Sequence, residues 1–361
     1  MESQRNPFFI VGTQRSGTTL LRLILNSHSE IAVPEEGVFL MPLLRKRYLR
    51  EPLRRAQLKT VADYLRSNDH FLLWNYDYDS FISDLHESDL MSLRDLIDRL
   101  FTSYCRSQGK ITWGDKTPSF FRKIDILHAL FPQAKYIHIV RDGRDVFDSW
   151  RKLDPTKNNV AVAALDWSYK LFRIESSLGG LAEHNKLSIR YEDLIEDPET
   201  TIRSVTDFLG VGYEKGMLDF YRTSHKYIGD HHSKLIFRPL DKGNKAKWKE
   251  NLNPKEVRVF ELLGRHYLTK YEYGISAGSA ATEDVLFATK ALCVGLPLRL
   301  MQVVRIAFIV EKALRDGKAM EPLRVGHRPS ETSGLAGGSR GLSSQAGEPS
   351  GSCAQPGTPD A

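Results

Sequence analysis

Phe8-Phe9-Ile10-Val11-Gly12-Thr13-Gln14-Arg15-Ser16-Gly17-Thr18-Thr19-Leu20-Leu21 decides how the rest of the chain is read. Phe8 to Val11 is a short apolar run with no period of its own, as a strand buried on both faces requires, and Leu20, Leu21, Leu23, Ile24 and Leu25 follow as a helical segment. The order predicts a strand, a tight turn and a helix. In that setting Gly12 and Gly17 let the backbone turn so that successive N–H groups and the positive end of the helix dipole converge, and phosphate-like oxygens are the natural occupant. The Gly12-x4-Gly17 spacing imitates a nucleoside-triphosphate loop, yet Thr18 stands where such a loop requires Lys. The cation is instead Arg15, inside the loop.

Working outward, Ile31-Ala32-Val33 reads as a second short strand, and the stretch from Phe39 to Leu100 as mostly helical, with Arg45, Lys46, Arg47, Arg50, Arg54 and Arg55 on solvated faces. The run Ala134 to Val140 is a further strand that enters Arg141-Asp142-Gly143-Arg144-Asp145, followed by a helical segment from Val146 to Trp150. Lys186 to Tyr191 repeats the pattern before Glu192-Asp193-Leu194, and Pro198 to Leu209 reads as one more helix. Strands alternating with helices imply parallel pairing, hence an α/β, P-loop-type three-layer fold with a central parallel sheet flanked by helices.

Arg141 and Ser149, eight residues apart, put a guanidinium at a strand end and a hydroxyl two turns into the next helix, an arrangement able to flank one phosphate. Taken alone, the Arg-Asp-Gly-Arg-Asp loop reads as an ion-paired turn. Lys242, Lys245 and Lys247 beside Gly243 and Trp248 form another basic-aromatic cluster. No acidic metal-holding residue is evident at the ends of the later strands, and Arg141 stands where a magnesium-binding Asp belongs in a nucleotide kinase. The expectation is therefore catalysis without metal, by a fixed guanidinium and backbone dipoles.

The composition of the 361 residues, 41% hydrophobic, 10% aromatic and 27% charged, excludes a wholly disordered, collagen-like or multi-span membrane chain. A formal charge of +6 permits a polyanionic small ligand and is far from the dense charge of a nucleic-acid-binding tail, so no nucleic-acid partner is expected. Cys105, Cys293 and Cys353 match no zinc or disulfide framework, and the N-terminus enters its first apolar run without a leader pattern. Both features predict a cytoplasmic protein. Residues 1–274 are expected to form the catalytic domain and 275–324 a helical extension. Within it, 285–315 is apolar with scattered bases and interrupted by Pro297, which predicts a docked pair of helices first and a peripheral membrane contact second. Residues 325–361, of which 19 of 37 are Gly, Pro or Ser, are expected to be disordered.

Together these residues resemble the sulfotransferases that use 3′-phosphoadenosine 5′-phosphosulfate, PAPS. Over roughly residues 7 to 270 the ingredients occur in that family's order: Phe9 to Leu20, then Gly114-Asp115-Lys116-Thr117-Pro118, then Val140 to Asp145 with Ser149, then Arg190-Tyr191-Glu192-Asp193-Leu194, then Lys247-Trp248. The resemblance implies that Gly12, Thr13, Gln14, Arg15, Ser16, Gly17, Thr18 and Thr19 surround the 5′-phosphosulfate. It also implies that Arg141 and Ser149 hold the 3′-phosphate, that Tyr191 lies near the nucleotide, and that Lys247 with Trp248 closes a loop over it. Arg at the loop position resembles the tyrosylprotein and bacterial branch; in the tyrosylprotein enzymes a Glu 21 residues after the loop Arg is the catalytic base, and the resemblance makes that residue Glu36 here. Val38 stands where the tyrosylprotein enzymes carry an Arg for acidic peptides, which counts against peptidyl tyrosine. Lys116 is a candidate cation near the transferred group, or a salt-bridge partner of Asp115 or Glu36. The implied activity is metal-independent sulfuryl transfer from PAPS to a hydroxyl or phenol of a small-molecule, carbohydrate or peptide acceptor, releasing 3′-phosphoadenosine 5′-phosphate, PAP. A P-loop kinase-like phosphotransferase and a catalytically inactive nucleotide-binding scaffold are the alternatives.

Overall fold

All five residues of Phe8–Gly12 are buried, because the strand they form lies mid-sheet with a helical layer on each face. The computed structural model describes residues 5–153, 158–222, 234–276 and 281–316. They belong to one compact unit, Met1–Pro322; the second unit, Leu323–Ala361, lies outside the described residues, and with it the tail expected at 325–361.

The strands are β1 (Phe8–Gly12), β2 (Ile31–Ala32), β3 (Leu53–Arg54), β4 (Leu90–Met91), β5 (Thr112–Asp115), β6 (Lys135–Val140) and β7 (Lys186–Arg190). The helices are α1 (Thr18–Asn26), α2 (Arg55–Arg66), α3 (Asp69–Leu72), α4 (Asp79–Glu87), α5 (Leu93–Ser107), α6 (Ile124–Leu130), α7 (Gly143–Leu153), α8 (Val160–Gly179), α9 (Tyr191–Glu196), α10 (Pro198–Leu209), α11 (Trp248–Asn251), α12 (Pro254–Lys270) and α13 (Thr282–Asp316). The main sheet runs β2-β5-β1-β6-β7 with every pairing parallel, while β3 and β4 form a small antiparallel pair. Alternation along the strands sorts side chains into two layers. Phe9, Val11 and Tyr136 pack with α2, α4 and α5, whereas Phe8, Ile10, Ile137 and Ile139 pack with α1, α9 and α10.

β5 is the main-sheet strand that hydrophobic patterning did not show. Thr-Trp-Gly-Asp is not an apolar run, and its glycine has a steric cause: a Cβ on Gly114 would lie 2.3 Å from Cζ of Phe8 on the neighbouring strand. The region expected to be a pair of helices at 285–315 is corrected as well, since α13 continues through Pro297. Proline there removes one backbone hydrogen bond and crowds the preceding turn, which kinks a helix more readily than it ends one when both flanks are strong helix formers.

Candidate active site

Because the main-sheet strands are parallel, they deliver the residues that follow them to one edge. The first residue beyond β1 is Thr13, beyond β5 Lys116, beyond β6 Arg141 and beyond β7 Tyr191, while Val33 to Glu36 follow β2. The topology therefore collects at one edge side chains that lie far apart in sequence.

The turn after β1 is closed by Ser16, whose N–H and hydroxyl both donate to the Thr13 carbonyl, at 3.2 and 2.6 Å. Arg15 and Gly17 both take left-handed backbone conformations, with φ of 69° and 96°. For Arg15 that conformation costs on the order of 1–2 kcal/mol, strain held in a loop that aims its side chain. Gly17 has a second reason to lack a side chain: a Cβ would sit 2.3 Å from Cδ2 of Tyr191, so the ring lies directly on the loop backbone.

Around this loop the expected anion-binding residues converge. Arg15 Nε donates to Ser149 Oγ at 3.0 Å, and Arg141 Nη1 donates to the Arg15 carbonyl at 3.3 Å. The Arg141 guanidinium lies 4.2 Å over the Tyr191 ring, and its Nη2 donates to the Asn244 carbonyl at 3.2 Å. Asn244 Nδ2 in turn donates to the Tyr191 hydroxyl at 2.6 Å. Burial pushes the Tyr191 phenol up, so the ring is a neutral platform. Thr13 Oγ1 and Arg141 Nε are buried without a hydrogen-bond partner, two unspent polar atoms at the tips of adjacent strands that suit an oxygen-rich anion. Thr18 is buried in the first turn of α1, and the exposed Gln14 accepts from Lys170 Nζ at 3.2 Å.

The acidic side of the site is built on β5. Lys116 is wholly buried, and its Nζ donates to Glu36 Oε1 at 2.5 Å and to Thr19 Oγ1 at 3.1 Å. The ammonium thus links the carboxylate to the phosphate loop. Thr117 Oγ1 accepts from the Gly37 N–H at 2.7 Å and donates to Asp115 Oδ2 at 2.9 Å, pinning the peptide next to Glu36. Complete burial pushes the Asp115 carboxyl up to about 7. Glu35 points elsewhere: it pairs with Arg22 of α1 at 2.7 Å, and burial raises its pKa despite that partner. Of the two adjacent glutamates, Glu36 is the one joined to the loop, and it keeps 28% of its side chain exposed.

Asp145 ties the segment after residue 244 to α7 by accepting from the N–H groups of Ala246 and Trp248, at 2.8 and 2.9 Å. Asp142 and Arg144 do form the ion-paired turn, completed by Glu261 of α12. Trp248 belongs to this supporting layer, buried with its ring 3.8 Å from the Arg144 guanidinium. Half-buried Lys247 caps α11, its carbonyl accepting from Glu250 and Asn251. Asn244, Arg22, Thr117 and Lys170 are contacts that residue patterns did not single out. Only Thr117 had a signal, through its place in Gly114 to Pro118.

The Sulfotransferase family model matches residues 7–215. Protein-tyrosine sulfotransferase A of Caenorhabditis elegans is 26% identical over 259 residues, covering 68% of this chain and 62% of that protein. The nodulation protein NoeE of Sinorhizobium fredii is 24% identical over 316 residues, covering 79% of this chain and 70% of its own length. The chain thus spans somewhat under two thirds of the worm relative. Among solved structures, the sulfotransferase domain of the Synechococcus PCC 7002 olefin synthase shares the fold, with a TM-score of 0.55 at 24% identity over 76% of this chain and 97% of that domain. With more than half of its length matched, from the strand before the phosphate loop to beyond α10, this chain belongs to the sulfotransferase family.

Proposed function

We propose that this chain transfers a sulfuryl group from PAPS to a hydroxyl or phenol. The observation that carries the reading is the convergence of Arg15, Ser149, Arg141 and Tyr191 on the Gly12–Gly17 loop, with the Lys116–Glu36 pair attached to the same loop through Thr19. Residues Gly12 to Thr19 receive the 5′-phosphosulfate, Arg141 and Ser149 the 3′-phosphate, and Tyr191 the nucleotide. In the reaction the acceptor oxygen attacks sulfur in line, and the bond from sulfur to the 5′-phosphate oxygen breaks. Charge gathers on that leaving oxygen and on the sulfuryl oxygens. Arg15 and the loop N–H groups stabilise it, an effect worth ~10²–10³-fold per donor. Glu36 takes the acceptor proton, worth ~10²–10⁴-fold. Lys116 orients that carboxylate and keeps a positive charge between it and the loop.

The acceptor is a small molecule, a carbohydrate or a peptide. The worm relative's name makes phenols the first class to try, while Val38 turns the choice away from acidic peptides. The test is transfer of label from ³⁵S-PAPS to a panel of phenols, sugars and alcohols, with and without magnesium, beside PAP binding by calorimetry. Metal-independent transfer that collapses in Arg15→Ala is the expected result. Magnesium-dependent transfer from ATP instead would establish a kinase, and PAP binding without turnover across the panel would leave a scaffold.

A further inference from the structure

Half of the large apolar side chains that are exposed among the described residues lie between Val285 and Val304, on the first twenty-odd residues of α13. Leu286, Val294, Leu298, Leu300, Met301 and Val304 are between 53% and 65% exposed. At about 100° per residue these six fall within an arc of roughly 160°. The helix docks by the other side. Asp284 pairs with Arg258 of α12 at 2.8 Å, Ala288 is buried, the Ala291 carbonyl accepts from Asn159 Nδ2 at 2.9 Å, and Gly295 abuts Val162. Water therefore meets an apolar face along a helix whose opposite face is already fixed to the protein, and a contiguous patch of that kind marks a contact surface.

Charge indicates what covers it. From Val285 to Val310 there is no acidic residue, and the cations are Lys290, Arg299 and Arg305. By the same count Lys290 and position 305 fall within the apolar arc and position 299 does not, while Glu283 and Glu311 lie in the arc beyond the two ends of the exposed patch, so two copies apposed in parallel register would set these cations against each other. An anionic lipid headgroup layer neutralises them while the leucines enter the acyl boundary, and the exposed Lys290 can extend its ammonium from within the apolar arc to the headgroups. No helix among the described residues is long and apolar enough to cross a membrane, so the geometry is that of a helix lying on the surface.

We propose that the exposed face of α13 docks the protein on anionic membranes. The test is co-sedimentation of the full chain with vesicles of phosphatidylcholine, alone or mixed with phosphatidylglycerol, at low and high salt. Expected is binding to the mixed vesicles that weakens with salt and falls at least about tenfold in the doubly substituted Leu298→Glu, Met301→Glu chain. Both positions are exposed, so the substituted chain should melt as the parent does, and that control is run alongside. Failure to sediment with the mixed vesicles, or equal sedimentation of the two chains, overturns the proposal. So does light scattering that shows a dimer in solution which the two substitutions dissolve, because the face then belongs to a second copy. The readout is independent of sulfuryl transfer.

Discussion

Replacing Glu36 by Gln separates the chemistry proposed for this carboxylate from its structural role. Lys116 is completely buried and its ammonium rests on Glu36 Oε1 and Thr19 Oγ1. Breaking a buried ion pair by removing one partner costs ~3–5 kcal/mol. Here Glu36 is 28% exposed and Gln retains a carbonyl acceptor, so the loss belongs below that range, at about 2–3 kcal/mol. For a chain of this size each kcal/mol lowers the melting temperature by roughly 2–4 °C, so the variant should melt about 4–12 °C below the parent. Its turnover should fall by ~10²–10⁴-fold if Glu36 is the base. Adding Lys116→Met removes the stranded charge, and an apolar side chain in that buried position should return most of the lost stability while turnover stays low. Scanning calorimetry and initial rates with labelled PAPS at saturating acceptor read the two effects separately. If the double variant regains turnover along with stability, Glu36 served only as counter-ion to Lys116, and the assignment of the base fails.

Arg141→Ala should weaken PAP binding by about 10–100-fold in calorimetry, the worth of charge-assisted bonds to one phosphate, while binding of a nucleotide lacking the 3′-phosphate changes little. Equal losses for both would remove Arg141 from that role. Gly17→Ala combines a left-handed backbone with a Cβ 2.3 Å from Tyr191, and should cost roughly 2–4 kcal/mol in urea unfolding; a variant within about 0.5 kcal/mol of the parent would refute the contact. Asp115 has a folded-state pKa raised from 3.8 to about 7 by burial. A raised carboxyl contributes stability that is fully present below the unfolded value and is lost as pH climbs through the folded one. The parent should therefore lose stability relative to Asp115→Asn as pH climbs from near 4 to above 7, and parallel pH–stability curves for the two chains would contradict the burial argument.

Much of the active edge was legible in residue order. A both-faces-buried run such as Phe8 to Val11 has one common use, a mid-sheet strand, and glycines flanking Arg15 and Ser16 leave the backbone a turn. Local chemistry of this kind repeats at Arg141 after β6 and Tyr191 after β7, so three of the strand tips could be named in advance. β5 does not read as a strand, although the resemblance points to Lys116 at its tip, because Gly114 is there to clear Phe8, a residue more than a hundred positions earlier. Trp248 followed the family's motif order, yet its ring is held by Arg144, an ion-paired side chain whose partner Glu261 lies on a later helix.

By itself, then, the order of residues determined an α/β sheet with an arginine-bearing phosphate loop, since strand burial, helix periodicity and turn formation depend on neighbours a few positions away. Tertiary structure alone decided that Glu36 rather than Glu35 joins the loop, that Asn244 completes the platform around Tyr191, and that α13 turns an apolar face to solvent. Those outcomes rest on contacts between residues far apart in sequence, 53 positions for Asn244 with Tyr191 and 80 for Lys116 with Glu36, the latter possible only once β5 has inserted between β2 and β1. Ion pairing falls off with distance in space and takes no account of separation along the chain.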